Sequence, residues 1–470
     1  MQLAPLFNAV LIGCLWMAAL VQREPAVPAR LRWLLIPSFG IAAGCGALSF
    51  LHFLLLASGI TGPAAVLLSD AVMALAPMLV WWSGRRNPVS ASRSDAQPPF
   101  RYNWLLAVAL LAGLAFALAA HFDSLRARPH GDWDAFSIWN VRAKYLAGPA
   151  DSWKTAVSPG LMSHPDYPLL VSGLVARCWT AGGVFDTLAP AAVATVFFLA
   201  SFGLLAGALA ALNSLSMGLL AGLILLTTSP WLSLSGSQYA DIPLGLYMAG
   251  SLAAVCIGTR LENSSGWMAL GGFLLSCAAW TKNEGLPFAL FALLTFPLLG
   301  RRRSAALLWL CALPGLLVVS VFKLVFAAPS DLLEGQGAAQ SLAKFGELSR
   351  HAQVFEAAYR LIIDLGPGLS HPLLLLVLLG LVLRFQERAA IPLLYWAGGV
   401  LLLQIATYWA VYLVTPHDLN WLLGTSLSRL FAQVWPAALL MVFSTLNPPE
   451  CCVTELAPTR PRPPAKRKKK

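Results

Sequence analysis

The chain has 470 residues, of which 58% are hydrophobic and only 11% are charged. Soluble domains carry about 25% charged residues, so this composition excludes a soluble globular protein and indicates one embedded in a membrane. The net charge of +11 does not indicate nucleic-acid binding, because the basic residues occupy short links between apolar runs.

Apolar runs long enough to cross about 30 Å of hydrocarbon recur along the whole chain. The first run follows no basic residue and precedes Arg23, Arg30 and Arg32, which predicts a retained helix with its N-terminus outside. We therefore predict an all-α polytopic membrane protein with about thirteen transmembrane helices. They are predicted at residues 3–21, 33–56, 64–82, 104–120, 184–211, 217–233, 241–258, 266–280, 285–299, 305–327, 371–383, 391–413 and 429–446.

The basic residues predict the orientation of these helices. Alternating sides from an outside N-terminus places every basic cluster in the cytoplasm, as the positive-inside rule requires. The clusters are Arg85 to Arg101, Arg301 to Arg303, Arg384 with Arg388, and Lys466 to Lys470. The opposite side, the outer face of the cytoplasmic membrane, then receives segments 121–183, 234–240, 281–284, 328–370 and 414–428.

Composition also predicts the division of the chain. A basic link rich in Pro and Ser at 83–103 indicates a boundary between a three-helix N-terminal addition, 1–82, and the main transmembrane module, 104–446. A basic cytoplasmic tail follows at 447–470, and its lysines are expected to touch anionic lipid.

The outer segment 121–183 is too long for a plain turn. Residues from Asp134 to Leu146 mix apolar and polar side chains in a way that predicts a helix lying in the membrane interface. The run 169–181 is too short to span and is expected to lie at the surface as well. An amphipathic stretch from Leu342 to Ile363 is expected to cover the same face.

Asp132 and Asp134 are the leading catalytic candidates. A carboxylate takes the proton of an attacking hydroxyl when it lies within hydrogen-bond reach in partly dehydrated surroundings. The neighbouring Trp133, Phe136 and Trp139 would supply that dehydration and would stack on a sugar. Acids at the membrane boundary fit chemistry on a lipid-linked substrate, whereas a transporter holds its acids deep in the bilayer. The alternative for both acids is a solvated loop position.

Further charged residues on the outer face are predicted to bind substrate. Arg429 opens the last predicted span, and its guanidinium either binds a phosphate or pairs with Asp418. Lys282 either binds a phosphate or pairs with Glu284. Asp241 opens another span as a helix N-cap, a site group or both. The other predicted substrate-binding residues are Trp139, Arg142, Lys144, Asp166, Tyr167 and His417.

Several motifs share the predicted outer face. In chain order they are Asp-Trp-Asp at 132–134, His-Pro-Asp-Tyr-Pro at 164–168, Tyr-Ala-Asp-Ile-Pro at 239–243, Thr-Lys-Asn-Glu-Gly at 281–285, Thr-Pro-x-Asp-Leu at 415–419 and Thr-Ser-x-x-Arg at 425–429. In this order they resemble the bacterial GT-C glycosyltransferases, the group of the dolichyl-phosphate-mannose protein mannosyltransferases and aminoarabinose transferases. The resemblance covers about residues 100–446.

The resemblance implies an inverting glycosyltransferase that uses a polyprenyl-phosphate-linked sugar as donor. Its catalytic base is an Asp in the first outer loop, which corresponds to Asp134. Ala135 stands where many relatives carry Glu, so the assignment between Asp132 and Asp134 stays open. Relatives are also expected to carry a His after Trp421, where this chain has Leu422.

The expected partners are the lipid-linked sugar, membrane lipids and a glycan, lipid or protein acceptor, and no nucleic acid is expected. The histidines have no ligand spacing and no HExxH or CxxC motif occurs, so no metal cofactor is expected. The alternative function is a transporter or lipid flippase with Asp241, Glu284 and Arg429 on the substrate path. A third is a non-catalytic assembly subunit.

Overall fold

The computed structural model describes residues 2–24, 27, 29–86, 102–161, 163–261, 264–330, 337–386 and 391–451. Helices make up most of this part of the chain, which confirms the prediction of an all-α protein. An isolated antiparallel bridge joins Phe385 to Leu446. Most of the predicted basic link and nearly all of the predicted tail, residues 87–101 and 452–470, lie outside the described residues.

The helices follow one another with short connections for most of the chain. They are α1 (Ala4–Gln22), α2 (Ala29–Ala57), α3 (Pro63–Arg86), α4 (Asn103–Ala127), α5 (Val141–Leu146), α6 (Leu170–Gly182), α7 (Leu188–Leu212), α8 (Leu215–Leu226), α9 (Ser229–Leu234), α10 (Asp241–Arg260), α11 (Ser265–Thr281), α12 (Gly285–Thr295), α13 (Arg302–Val321), α14 (Ala338–Phe345), α15 (Leu348–Ile363), α16 (Pro372–Leu383), α17 (Ile391–Val414) and α18 (Leu419–Thr445). Two π-helical segments, Ala135–Asn140 and Phe322–Phe326, adjoin α5 and α13.

Nine helices in the described part of the chain are long and apolar enough to cross a membrane. They are α1, α2, α3, α4, α7, α10, α13 with its π-helical extension, α17 and α18. The other four predicted spans coincide with shorter helices, and the span predicted at 217–233 is divided into α8 and α9 by a break before Pro230. The chain is thus a helical membrane protein with nine candidate spans among its described residues, and the count of thirteen stays a prediction.

The N-terminal helices pack tightly against one another and against later helices. A Cβ atom on Gly13 of α1 would lie 1.9 Å from the carbonyl oxygen of Gly40, and one on Gly44 would lie 1.8 Å from that of Ala9. Small residues four apart permit this close approach of two helices in a membrane. Helix α2 also contacts α6, α7 and α11. The predicted boundary between an N-terminal addition and the main module remains a prediction.

The surface position expected for the run 169–181 is wrong. This run forms α6, whose residues from Leu170 to Trp179 are all buried against neighbouring helices. Small residues on the side opposite the large apolar ones let other elements pack there: a Cβ atom on Gly173 would lie 3.0 Å from Ser49 Oγ, and Ser172 Oγ donates to the carbonyl oxygen of Trp139 at 2.8 Å. Its charged residue, Arg177, forms a buried ion pair with Asp70 of α3, and Asp70 also accepts a hydrogen bond of 3.0 Å from Asn8.

The amphipathic stretch predicted at 342–363 forms two helices, α14 and α15, that break at Gly346 and Glu347. Lys344 Nζ donates to the carbonyl oxygen of Thr415 at 2.9 Å, and Arg350 Nη2 donates to that of Tyr412 at 3.0 Å. Both acceptors lie at the end of α17, where the helix leaves carbonyl oxygens without intrahelical partners. The two helices therefore cover the end of α17.

Candidate active site

Charged residues from four distant parts of the chain meet where α10 begins and α11 ends. Asp241 is the first residue of α10, Lys282 follows α11, and Glu284 precedes α12. Asp134 precedes the π-helical segment, and Arg429 lies within α18. Ion pairs of 2.7 to 3.1 Å join these five residues into a continuous network, which we call the charge cluster.

Asp241 is the buried centre of the charge cluster, with 0% of its side chain exposed. Its carboxylate accepts hydrogen bonds from Lys282 Nζ at 3.0 Å, Arg429 Nε at 3.1 Å and Gln433 Nε2 at 2.5 Å. Two cations and an amide donor offset the cost of removing this carboxylate from water. Ala240 occupies the N-cap position of α10, so the N-cap interpretation of Asp241 is wrong. Asp241 instead orients the two cations.

Arg429 joins Asp241 to Asp134. Its Nη2 atom lies 2.7 Å from Asp134 Oδ2, while its guanidinium carbon lies 4.5 Å from the centre of the Tyr239 ring. The side chain of Arg429 is 13% exposed and that of Asp134 is 19% exposed, so solvent reaches this end of the cluster. Asp418, the alternative partner of Arg429, instead caps α18 by accepting from the backbone N–H of Trp421 at 2.8 Å.

The prediction that Arg429 opens the last span is wrong, because α18 begins at Leu419. Arg429 follows ten residues later, about 15 Å along the helix axis. The 27 residues of α18 extend about 40 Å, which exceeds the roughly 30 Å of a bilayer core. A helix of that length projects beyond the core or tilts within it. The contact between Arg429 and Asp241 shows that this part of α18 lies beside the first residue of α10.

Tyr239 connects Asp134 to the polypeptide that leads into α10. The backbone N–H of Asp134 donates to the Tyr239 hydroxyl at 3.3 Å. Burial and the charge of Asp134 raise the pKa of Tyr239 to about 12, so this hydroxyl keeps its proton at neutral pH. Within the described residues, Arg429 is the ion-pair partner of the Asp134 carboxylate.

Asp132 lies outside the charge cluster. Its carboxylate pairs with Arg128 and accepts a hydrogen bond of 2.6 Å from Ser237 Oγ, and its backbone N–H donates to the Ser237 carbonyl at 3.2 Å. These contacts fasten the loop that carries Asp134 to the segment before α10. Asp132 therefore positions the loop, and Asp134 is the acid that the fold joins to the buried ion network through Arg429.

Lys282 bridges two acids, because its Nζ atom lies 3.0 Å from Asp241 and 2.7 Å from Glu284. Burial disfavours the charge on Lys282, but the two carboxylates outweigh burial and raise its pKa. The alternative of an ion pair with Glu284 is therefore present, and contact with a phosphate stays a prediction. Glu284 Oε2 is buried and has no hydrogen-bond partner in the described structure.

A second polar group lies next to the charge cluster and contains a residue that the sequence analysis missed. Lys323 Nζ lies 3.2 Å from Asp166 Oδ2 and 2.5 Å from Asn283 Oδ1, and Asn283 Nδ2 donates to Asp166 at 2.7 Å. Lys323 stands in the predicted span 305–327 and was not among the predicted site residues. A single Lys near the end of an apolar run is itself a signal, because an ionisable residue there needs a partner.

Arg142 has a positioning role in the loop between α4 and α6. It is fully buried, and it donates to the carbonyl oxygens of Ala156 at 2.9 Å and Pro165 at 3.3 Å. Burial lowers the pKa of Arg142 to about 9, and the nearby Asp166 carboxylate opposes that decrease. Arg142 thus holds the loop that carries Asp166.

The aromatic residues divide into buried and exposed sets. Trp139 is 0% exposed, and its ring stacks on Tyr167 with 5.6 Å between the ring centres. Its ring is therefore not open to a sugar, contrary to the prediction that it would stack on one. The Tyr167 ring in turn lies 5.9 Å from Lys282 Nζ. Trp133 and Phe136 are 64% and 39% exposed and pack edge to face at 4.9 Å. These two rings remain available beside Asp134.

The structure does not bring Lys144 or His417 into the charge cluster. Lys144 Nζ lies 5.7 Å from the Phe185 ring, beyond the end of α6. The backbone N–H of His417 donates to Thr415 Oγ1, and its ring packs on Trp421 at 6.1 Å. Among the residues that the structure describes, no three His, Cys, Asp or Glu side chains form a potential metal site.

Comparison of the chain with protein-family models, with curated proteins and with solved structures gave no match.

Proposed function

We propose that this chain is an inverting glycosyltransferase of the outer face of the cytoplasmic membrane. It moves a sugar from a polyprenyl phosphate to an acceptor hydroxyl. The Asp134–Arg429 ion pair of 2.7 Å carries this proposal. The pair puts a carboxylate that accepts a proton beside a guanidinium that fits a phosphate, at the solvent-exposed end of a buried ion network.

The depth of the charge cluster supports a lipid-linked substrate. Asp241 begins α10 and Lys282 directly follows α11, so the cluster lies at the ends of these helices. The reacting phosphate of a polyprenyl-phosphate sugar lies at the membrane boundary, with its chain in the hydrocarbon. Trp133, exposed beside Asp134, is a residue type that concentrates at this boundary.

Arg429 is the phosphate ligand in this mechanism. The donor phosphate takes the place of the Asp134 carboxylate on the guanidinium, while Asp241 keeps Arg429 in position through Nε. Lys282 is 4% exposed and already bridges two acids, so its role is to hold Asp241 and Glu284. Displacement from Arg429 frees Asp134 to act as a base.

The transfer step follows from this exchange of partners. The acceptor oxygen attacks the anomeric carbon on the face opposite the phosphate, and Asp134 takes the proton of the attacking hydroxyl. The bond between the anomeric carbon and the phosphate oxygen breaks, and its electron pair leaves with the polyprenyl phosphate. Arg429 stabilises the charge that develops on that phosphate.

One observation favours a second candidate, a transporter or lipid flippase. Asp241 is fully buried at the start of a candidate span and holds two cations, and buried ionisable residues in membranes often mark a transport path. The two functions differ in what they need. A transferase forms product in detergent, whereas a transporter requires two compartments.

The test supplies the detergent-purified full-length chain with a panel of radiolabelled polyprenyl-phosphate sugars and membrane extract as the source of acceptor. We expect one donor to be consumed and Asp134→Asn to reduce transfer by about 10²- to 10⁴-fold, because the amide does not accept the proton. Asp132→Asn is the matched control and should retain much more activity. A dead Asp132→Asn with an active Asp134→Asn would move the base to Asp132.

Full activity of the variant with both Asp132→Asn and Asp134→Asn would refute a catalytic role for these acids. If no donor is consumed in detergent, reconstituted vesicles test transport, and movement of a labelled lipid-linked sugar across the bilayer would support the transporter instead.

A further inference from the structure

Lys323 links three separate parts of the chain. It lies in the π-helical segment Phe322–Phe326, which extends α13. Its Nζ atom donates to the backbone carbonyl oxygen of Asp166, to Asp166 Oδ2 at 3.2 Å and to Asn283 Oδ1 at 2.5 Å. Asn283 Nδ2 closes the triangle by donating to Asp166 Oδ2 at 2.7 Å. Lys323 therefore joins α13 to the outer loop before α6 and to the turn between α11 and α12.

The hydrogen bonds of Lys323 use all of its donors. An ammonium group has three N–H donors, and in Lys323 they meet a backbone carbonyl, a carboxylate and a side-chain amide oxygen. The positive charge of Lys323 is balanced by Asp166, whose side chain is only 2% exposed. Lys323 thus has no donor left for a substrate. Its contacts are those of a group that holds other residues in place.

Asn283 lies between two members of the charge cluster. Lys282 and Glu284 flank it in the turn between α11 and α12, and Lys282 Nζ lies 3.0 Å from Asp241. The turn is tight, because the backbone N–H of Gly285 donates to the carbonyl oxygen of Lys282 at 3.0 Å. A displacement of Asn283 therefore moves both of its neighbours. Lys282 is the neighbour that holds the buried centre of the cluster.

Asp166 approaches the charge cluster by a second route. It directly precedes Tyr167, and the Tyr167 ring lies 5.9 Å from Lys282 Nζ. Lys323 bonds to both the backbone and the side chain of Asp166, so it limits the movement of the neighbouring ring. The position of Lys282 thus depends on Lys323 through the turn that contains it and through the ring beside it.

Two π-helical segments in the described part of the chain adjoin these residues. Ala135–Asn140 directly follows Asp134, and Phe322–Phe326 contains Lys323. A π-helical turn is rare in proteins and occurs frequently at functional sites. The local geometry of α13 at Lys323 is therefore of the kind found where a side chain has a functional task.

We propose that Lys323 is a positioning residue for the charge cluster. It holds Asn283 and Asp166 in place. Lys282 is thereby kept against Asp241, which orients the phosphate ligand of the proposed mechanism. The effect of Lys323 on transfer rests on the proposed function, whereas its hold on the turn does not.

Hydrogen exchange of the full-length chain in detergent, followed by mass spectrometry, tests the hold on the turn without any donor. The Gly285 amide bonds within the turn and reports its opening. We expect Lys323→Gln and Asn283→Ala to accelerate exchange of the peptide that covers 282–286 by about tenfold or more. Lys344→Gln is the matched control, because Lys344 also donates to a backbone carbonyl, at 2.9 Å, but at the end of α17. Wild-type exchange in both test variants would overturn the proposal, as would an equal acceleration in the control.

Kinetics of the purified, folded variants test the effect on transfer. We expect Lys323→Gln and Asn283→Ala each to lower kcat/KM for the lipid-linked donor by about tenfold or more, because a small misplacement of catalytic groups is costly, and Lys344→Gln to keep the wild-type value. The double variant should be no less active than the less active single variant, since both changes remove the same link.

Multiplied losses in the double variant would overturn the positioning role, because they would show that Lys323 acts independently of Asn283. An unchanged kcat/KM in folded Lys323→Gln would do the same. A wild type that consumes no donor would refute the proposed function, and the exchange measurement would then decide alone whether Lys323 holds the turn.

Discussion

Replacement of Arg429 by Lys is the sharpest test of the charge cluster. The guanidinium uses Nε toward Asp241 at 3.1 Å and Nη2 toward Asp134 at 2.7 Å, so one rigid group serves two carboxylates. Lys keeps the charge but has one nitrogen in place of this fork. The ammonium of Lys does not reproduce the planar, two-pronged contact of a guanidinium, so we expect the variant to lose one contact.

The size of the effect follows from the lost contact. A hydrogen bond to a charged group contributes about 1.5–3 kcal/mol, and about 1.4 kcal/mol corresponds to a tenfold change. We therefore expect kcat/KM for the lipid-linked donor to fall by roughly 10- to 150-fold in Arg429→Lys. The loss should arise mainly from a higher donor KM, because a phosphate contact exists before and during transfer.

The assay compares donor KM, kcat and folded yield of Arg429→Lys with those of Asp418→Ala. Asp418 caps α18, so its loss should cost about 1 kcal/mol of stability and leave donor KM unaltered. An unchanged donor KM in Arg429→Lys would refute the phosphate role. A lower folded yield with normal donor KM in that variant would reduce Arg429 to a structural link between Asp241 and Asp134.

Three further predictions concern the fold and the surroundings of the site. Asp70→Asn leaves Arg177 buried without a counter-charge and should cost about 3–5 kcal/mol of stability, measured as a lower midpoint of thermal unfolding. The double variant Asp70→Leu with Arg177→Met should recover most of that stability, and equal losses in the two variants would contradict this prediction. A cysteine introduced at the exposed Gly160 should be labelled from outside intact cells, and a cysteine introduced in the tail 453–470 should not. Labelling of the tail alone would show that the chain has the opposite orientation in the membrane. Tyr239→Phe removes the acceptor of the Asp134 N–H and should lower transfer by roughly 3- to 10-fold without changing donor KM, and unaltered kcat would show that the loop is held without it.

Hydropathy predicted the helices well but not where the last one begins. Each of the thirteen predicted spans coincides with helical residues, because a run of apolar side chains in a bilayer must satisfy its backbone internally. The start of α18 was missed because residues 419–428 include Asn420, Thr425 and Ser426, which lower the local hydropathy without ending the helix. In this part of α18, Ser426 Oγ lies within hydrogen-bond distance, 2.8 Å, of the Tyr412 hydroxyl of α17.

The composition of the charge cluster was largely predictable, and its pairing was not. Charged residues at the ends of apolar runs are few, so the sequence identified Asp134, Asp241, Lys282, Glu284 and Arg429 as candidates. The sequence left Arg429 with a choice between a phosphate and Asp418, eleven residues away. Its actual partners are 188 and 295 residues away in sequence. The packing of α10 against α18 brings Asp241 to Arg429, and the loop fastened to the segment before α10 brings Asp134.

The balance of charge in the cluster limits how a donor is accommodated. Two cations face three acids, Asp134, Asp241 and Glu284, so the cluster carries one negative charge beyond neutrality. An added phosphate near Arg429 is therefore repelled unless one acid gives up its place, and Asp134 is the acid that pairs with Nη2 of Arg429 at the solvent-accessible end of the cluster. In the proposed mechanism, this displacement leaves the Asp134 carboxylate free to face the hydroxyl of the acceptor. The proposal therefore requires the donor to bind before the acceptor reacts.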